Sequence, residues 1–74
     1  MEYPLIKSAD PRWSQVQVGQ YAVVRRDSDG DVVTVYSVEN TRQQAVAFAR
    51  SLNLSSTTVF FRESDAVVAQ VPWN

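Results

Sequence analysis

The sequence contains neither cysteine nor histidine. Without cysteine the chain has no disulfide framework and no thiolate metal site. Without histidine, the usual zinc ligand sets and the common histidine-based catalytic arrangements lack a central member. No nucleophile stands beside a base, and the acidic residues Glu39, Glu63 and Asp65 fall near predicted turns rather than in an apolar pocket. We therefore predict no catalytic residues, no metal site and no bound cofactor, and expect a protein that is not an enzyme.

The sequence also lacks a long apolar run and a large net charge. No stretch approaches the ~20 apolar residues of a membrane-spanning helix, and residues 1–13 lack the basic start and apolar middle of a secretory signal. We therefore expect a cytoplasmic protein with no membrane partner. Seven basic and eight acidic residues give a net charge of −1, which argues against a general nucleic-acid binder without excluding a local basic patch. A chain of 74 residues makes one domain at most.

One stretch, residues 41–53, has a clear helical period. Its apolar residues fall at i, i+3, i+4 and i+7, the spacing that lines one face of a helix: Ala45, Phe48, Ala49 and Leu52. Thr41 is a suitable N-cap with Gln44 at the capping-box spacing, and Asn53 tolerates the left-handed conformation at a helix end. The alanines make the buried face flat, which suits packing on a sheet.

Four β-rich segments surround this helix, at residues 16–26, 32–38, 57–62 and 66–71. The order β-β-α-β-β predicts an α+β fold, in which one helix packs on one face of a four-stranded, mostly antiparallel sheet. Residues 1–14, with Pro4 and Pro11, are interpreted as an extended N-terminal arm. Residues 15–74 are then a single ββαββ domain.

Apolar residues do not alternate cleanly along the predicted strands. Val59 and Phe61 are expected to face the helix, whereas Phe60 and Tyr36 fall on the opposite face. The arm, a second copy of the chain or another protein could cover that second face. Exposed contiguous apolar surface on a small domain commonly marks an interaction site. Phe60 and Tyr36 are therefore predicted as anchors for a partner.

Two further groups of residues are candidates for partner binding. Arg25 and Arg26, with Arg62 from the other hairpin, would form a basic spot for a phosphate or carboxylate, or else simply be solvated strand ends. Trp13 and Trp73, near the two termini, are either aromatic anchors for a partner or a small cluster in which the chain ends pack together.

The alternating aspartates Asp27, Asp29 and Asp31 have the look of the start of a calcium loop. The match fails, because Gly30 is at the fourth position and Val38 stands where a bidentate glutamate should close the loop. A plain hairpin turn is predicted instead.

Three segments together carry a resemblance of layout: the hairpin QYAVVRRDSDGDVVTVYSV, the short helix TRQQAVAFARSLN and the closing hairpin TTVFFRESDAVVAQV. Over residues 20–71 the chain resembles the small β-β-α-β-β proteins of bacteriophages and mobile elements, including several anti-CRISPR inhibitors. The resemblance implies a non-enzymatic inhibitor that binds a CRISPR effector subunit and blocks target DNA or nuclease recruitment. It transfers no site residues, and the near-neutral charge departs from that of strongly acidic DNA mimics.

The sequence thus predicts a protein-binding module. The resemblance implies a sharper form, a phage-encoded inhibitor that blocks a host defence complex by steric occlusion. Its contact surface would be the second sheet face, with Tyr36 and Phe60 as anchors and Arg25 and Arg26 at the rim. A small nucleic-acid-binding module that uses Arg25, Arg26 and Arg62 with exposed aromatic side chains is the alternative. A homodimer that buries the open face against its own copy is a third.

Overall fold

A computed structural model of the chain describes residues 2–4, 10–53, 56–65 and 67–73. The elements follow one another along the chain as strand β1 (Glu2–Pro4), a 3₁₀ helix (Pro11–Gln15), strands β2 (Tyr21–Arg26) and β3 (Val32–Glu39), helix α1 (Arg42–Leu52), and strands β4 (Thr57–Arg62) and β5 (Val67–Val71).

The strands form one antiparallel sheet in the order β1-β5-β4-β2-β3. Both predicted hairpins are present, and they join through the central pair of β2 and β4. The helix lies against β2, β3 and β4. The predicted α+β fold, a β-β-α-β-β order with one helix on a four-stranded antiparallel sheet, is therefore confirmed. The short strand β1 adds a fifth strand at the edge of β5.

The N-terminal region is more structured than a plain extended arm. Strand β1 pairs with β5, and Asp10 caps a 3₁₀ helix that has proline at its first position. Strand β2 begins at Tyr21 rather than at the predicted residue 16, because a turn with Gly19 at φ +91° separates it from the 3₁₀ helix. The division into an arm of residues 1–14 and a domain of residues 15–74 stays a prediction.

The helix has the ends that its sequence predicts. Thr41 accepts a hydrogen bond from the Gln44 N–H at 3.2 Å, and Asn53 adopts the left-handed conformation with φ 51°. Its apolar face packs on a cluster centred on the buried residues Val23, Ala45, Ala49, Val59 and Val71. Phe48 and Leu52 complete the predicted face at the margin of this cluster.

The opposite face of the sheet is covered by the chain's own residues 10–16, which we call the N-terminal cover. Trp13 and Val16 from this segment close a second buried cluster with Ala22, Val24, Val32, Val35, Phe60 and Val68. The expectation of a contiguous exposed apolar face is therefore wrong: among residues 10–53, 56–65 and 68–73, Val18 is the only large apolar side chain that is mostly exposed. Of the coverings considered from sequence, the N-terminal segment is the one observed.

Strand β3 carries two irregularities that explain its undecided pattern. Its register with β2 shifts between Val23 and Val24 and again between Arg25 and Arg26, which leaves Tyr36 and Val33 as the extra residues. Each extra residue reverses the alternation of faces. As a result Val32, Val35 and Val38, three residues apart, all contact the cluster under the N-terminal cover, and Tyr36 packs instead on the helix side.

Polar contacts fasten the N-terminal cover to the edge strand β3. One oxygen of Asp10 accepts the Val35 N–H at 2.8 Å and the other accepts the Arg12 backbone N–H at 2.8 Å. The Arg12 guanidinium donates to the Tyr36 carbonyl at 3.3 Å. Unpaired edge groups invite pairing with other chains, so these contacts also protect the edge.

Asp27 organises the turn between β2 and β3. Its Oδ1 accepts the backbone N–H groups of Asp29 and Asp31 at 2.9 and 3.0 Å, and Gly30 supplies the positive φ of +86°. The predicted plain hairpin turn is confirmed.

Helix α1 is the only α-helix in the described part of the chain, and it is too short and too polar to cross a bilayer.

Candidate functional site

The six residues predicted for partner binding do not form one surface. Strand alternation and side-chain contacts divide them between the two faces of the sheet. One group is on the side of the N-terminal cover: Trp13, which belongs to the cover, with Arg26 and Phe60. The other group is on the helix side: Arg25, Tyr36 and Trp73.

In the first group, Trp13 and Arg26 both contact the ring of Phe60. Phe60 is 2% exposed, Trp13 meets it edge-on with ring centroids 6.3 Å apart, and the Arg26 guanidinium lies 5.8 Å from the centre of the Phe60 ring. The prediction of Phe60 as an exposed anchor is wrong, because the N-terminal cover buries it. Trp13 is likewise 8% exposed and serves the fold.

The three residues on the helix side are accessible but separated. Tyr36 lies on the edge strand β3 and Trp73 follows β5, so they sit at opposite margins of the four-stranded sheet. Both are half-buried against the helix-side cluster. Arg25 is exposed at the end of β2, beside Thr34 and Thr57. The two tryptophans therefore pack on different faces and do not form one cluster with each other.

The predicted basic spot of Arg25, Arg26 and Arg62 is not formed either. Arg25 faces the helix side whereas Arg26 and Arg62 face the N-terminal cover. Arg26 and Arg62 stand at opposite ends of β2, roughly 20 Å apart at the usual rise per strand residue. The Arg62 guanidinium donates to the carbonyls of Val16, Ser64 and Asp65, so it serves to hold loops together.

A different surface brings positive charge and an aromatic ring together. Along one flank of α1, Arg42, Val46 and Arg50 face the C-terminal residues Pro72 and Trp73 across an open groove of about 270 Å³. We call these five residues the helix-flank groove. Arg42 donates to the Pro72 carbonyl at 2.8 Å and Arg50 to the Trp73 carbonyl at 3.3 Å, so the two arginines also hold the tail against the helix.

The charges of this groove are not neutralised within the described residues. There, ion pairs join Arg12 to Asp10 and Arg62 to Asp65, and no carboxylate lies within 4.0 Å of Arg42 or Arg50. Both groove arginines bind backbone carbonyls, which carry no formal charge. A guanidinium has five N–H donors, so each arginine retains most of its hydrogen-bonding capacity.

Arg42 also stands where the helix favours the opposite charge. It is the first residue of α1, whose first turn contains no acidic residue. The N-terminus of a helix carries a partial positive charge that stabilises anions and disfavours cations. Arg42 therefore opposes the charge preference of the helix N-terminus and does not stabilise the helix. Locally unfavourable residues of this kind are typical of functional surfaces.

Sequence reasoning identified Trp73 but missed Arg42 and Arg50. Neither residue belongs to the apolar helix face that the sequence predicts. Their spacing with Val46, at i, i+4 and i+8, was a usable signal, because it places a cation, an apolar residue and a cation along one flank. The position of the C-terminal tail beside that flank was not readable from sequence.

The described residues contain no group of three or more acidic side chains that is arranged to hold a metal ion. The pKa of Asp10 is lowered because its carboxylate accepts hydrogen bonds from the Val35 N–H, the larger cause, and from the Arg12 backbone N–H. This shift belongs to the fastening of the N-terminal cover and lies away from the groove.

No protein-family model matches the chain, and neither the curated proteins nor the solved structures contain a match to it.

Proposed function

We propose that the chain is a non-enzymatic protein-binding module whose contact surface is the helix-flank groove. The observation that carries the proposal is the pair of arginines, Arg42 and Arg50, which have no carboxylate partner among the described residues and flank a half-buried tryptophan. Arginine and tryptophan are the residues that most often dominate the energetics of protein interfaces. The groove brings them together, whereas the predicted sheet-face anchors are separated or buried.

The choice of a protein partner over a nucleic acid rests on charge and on the aromatic side chains. The alternative drew on Arg25, Arg26 and Arg62, which lie on two faces of the sheet and at different strand ends. Nucleic-acid binding without base readout uses a continuous basic track with exposed aromatic platforms. Two cations in a groove of a chain with net charge −1 fit a protein partner better.

The sharper form of the proposal is a phage-encoded inhibitor of a host defence complex that acts in the host cytoplasm by steric occlusion. Its support is the resemblance of residues 20–71 to the β-β-α-β-β layout of anti-CRISPR proteins, together with the groove that the small domain presents. In this form the groove binds a subunit of a CRISPR effector complex and the bulk of the domain blocks its target DNA or its nuclease.

A plating assay tests the inhibitor form. The chain is expressed in a set of bacterial hosts, each with one active CRISPR interference complex, and challenged with a phage that the complex targets. We expect plating to recover in at least one host. The double variant Arg42→Glu with Arg50→Glu should lose that recovery, and Arg25→Glu, outside the groove, should keep it. If plating recovers in none of the hosts, the inhibitor form is rejected.

The broader claim of protein binding has its own test. Proteins captured from a host lysate by the wild type, and not by the groove double variant, are purified and titrated against the chain by calorimetry. We expect saturable binding at one partner per chain that the double variant abolishes. If no captured protein binds the purified chain, or if the double variant binds equally well, the proposed contact surface is wrong.

A further inference from the structure

The partner segment that fits the helix-flank groove can be described by its chemistry. We infer that the groove binds an extended acidic segment of the partner protein, with two carboxylates four residues apart and an apolar side chain midway between them. The pattern is acidic-x-apolar-x-acidic. This inference rests on the proposed protein-binding function and adds to it a ligand class and a spacing.

The spacing follows from the helix. Arg42, Val46 and Arg50 are separated by four residues each along one flank. At the rise of an α-helix they therefore stand at relative heights of roughly 0, 6 and 12 Å. In an extended peptide, alternate side chains point the same way, and residues i, i+2 and i+4 stand at roughly 0, 6.6 and 13 Å. The two periods match over this length, so three side chains of the peptide meet three positions of the groove.

The two outer positions of the groove are occupied by cations, Arg42 and Arg50. Arginine presents a planar fork of donors that matches a carboxylate in a bidentate arrangement. In the structure the Nη2 atoms of Arg42 and Arg50 donate to Pro72 and Trp73, which fixes both guanidinium groups beside the groove. Fixing the arginines before binding reduces the entropy that is lost when a ligand engages them.

The middle position is apolar. Val46 and Trp73 are both half-buried, and Trp73 packs on the helix-side cluster. An apolar side chain placed between the two carboxylates would cover the exposed part of these residues. That contact distinguishes the proposed ligand from a simple dianion, because a phosphate or a dicarboxylate would leave Val46 and Trp73 uncovered.

A second copy of this chain does not supply the pattern. Asp27 and Asp31 are the only acidic residues in the sequence spaced four apart, and the residue midway is Asp29 rather than an apolar one. These aspartates also belong to a hairpin turn in which the Asp27 carboxylate accepts two backbone N–H groups. The segment must therefore come from another protein.

A titration monitored by NMR tests the inference with a defined probe. The ¹⁵N-labelled chain is titrated with the synthetic peptide Gly-Glu-Ser-Leu-Ser-Glu-Gly. We expect saturable shifts at the Nε–H signals of Arg42 and Arg50 and at the indole N–H of Trp73. Control peptides replace both glutamates by lysine, replace leucine by serine, or lengthen the spacing between the glutamates to six residues. Each should bind more weakly by about fivefold or more, since each removes one matched contact.

Variants of the protein provide the reciprocal test. Arg42→Ala and Arg50→Ala should each weaken peptide binding by roughly five- to tenfold, because each removes a charge-assisted hydrogen bond. Arg25→Ala removes the same charge from an exposed site outside the groove and should leave binding unchanged. Thermal melts of all three variants verify that they fold. Equal binding of the lysine peptide, or shifts centred on Arg25, would overturn the inference.

Two further outcomes separate this inference from the proposed function. If a captured partner depends on Arg42 and Arg50 but the acidic peptide does not bind, protein binding stands and the acidic pattern is wrong. If an oligothymidylate displaces the peptide at comparable concentration and binds the groove itself, the ligand is a nucleic acid, and both the inference and the proposed function are overturned.

Discussion

The two faces of the sheet are covered by helical segments that differ in length and in the number of apolar side chains they bury. On one face α1 spans Arg42–Leu52 and lays small alanines against the strands. On the other, a single turn of 3₁₀ helix, Pro11–Gln15, places one tryptophan over one phenylalanine. The first cover is held by a periodic apolar face, whereas the second is held by two buried apolar side chains, Trp13 and Val16, and by polar contacts to β3. The covering segment of the second face therefore contributes fewer apolar side chains than α1 does, and their contact with Phe60 matters more.

The largest expected effect comes from breaking the second face at its centre. Phe60→Ala removes the ring that contacts both Trp13 and Arg26, and a buried phenylalanine of this kind contributes about 3–5 kcal/mol to the free energy of unfolding. The neighbouring Phe61→Ala is the matched control on the helix side, where the ring is half-buried against Tyr21. We expect a clearly smaller loss for Phe61→Ala in urea denaturation. Equal losses would contradict the concentration of stability at Phe60.

The next largest effects are expected at the two N-caps, Thr41 of α1 and Asp10 of the 3₁₀ helix. Thr41→Ala removes the hydrogen bond to the Gln44 N–H and should lower the free energy of unfolding by about 1 kcal/mol without changing the emission of Trp13. Its counterpart, Asp10→Asn, replaces an acceptor oxygen by a donor. That change should shift Trp13 emission to longer wavelength, because the cover loosens from β3. A Trp13→Phe reference variant separates this signal from that of Trp73.

The fastening at Asp10 also predicts a dependence on pH. The Val35 N–H and the Arg12 backbone N–H hold the pKa of Asp10 below its ordinary value of 3.8. A carboxylate with a lowered pKa stabilises the fold above its unfolded-state pKa, and this contribution is lost as pH falls through the folded-state pKa. The difference in unfolding free energy between wild type and Asp10→Asn should therefore shrink as pH drops below 3.8. A difference that does not shrink as the pH falls below 3.8 would show that the Asp10 carboxylate does not fasten the cover.

The smallest effect on stability is expected at the groove. Arg42→Glu places a carboxylate at the start of α1, which favours the helix by about 0.3–1 kcal/mol, while loss of the Pro72 contact opposes that gain. We expect a net change in unfolding free energy below about 1 kcal/mol, together with loss of partner binding. A large destabilisation would mean that Arg42 serves the fold rather than recognition.

The sequence was sufficient for the elements whose signals are local. The period and caps of α1 and the turn at Gly30 depend on neighbouring residues, and all were predicted. The faces of β3 were not, because the extra residues Val33 and Tyr36 reverse the alternation and are defined only by pairing with β2. The Asp10-Pro11 pair was a readable sign of a helical start in the N-terminal segment, since aspartate caps and proline favours the first position.

The sequence predicts only one member of the candidate groove, for the same reason. Trp73 was selected from its residue type, whereas its neighbours Arg42 and Arg50 depend on where the C-terminal tail crosses the helix. Phe60 and Trp13 were also selected by type, but an aromatic residue that anchors a partner and one that closes a small core look alike in sequence. Burial distinguishes them, and burial is a property of the assembled sheet.

Residues 10–16 cover the second sheet face, and on our proposal this leaves the helix side for a partner. A nuclear Overhauser spectrum of the free protein in solution tests this most directly. We expect cross-peaks between the ring protons of Trp13 and those of Phe60, whose ring centroids lie 6.3 Å apart. Their absence, with Phe60 ring protons instead in contact with a second molecule or with solvent, would contradict it and would return the open sheet face as the contact surface.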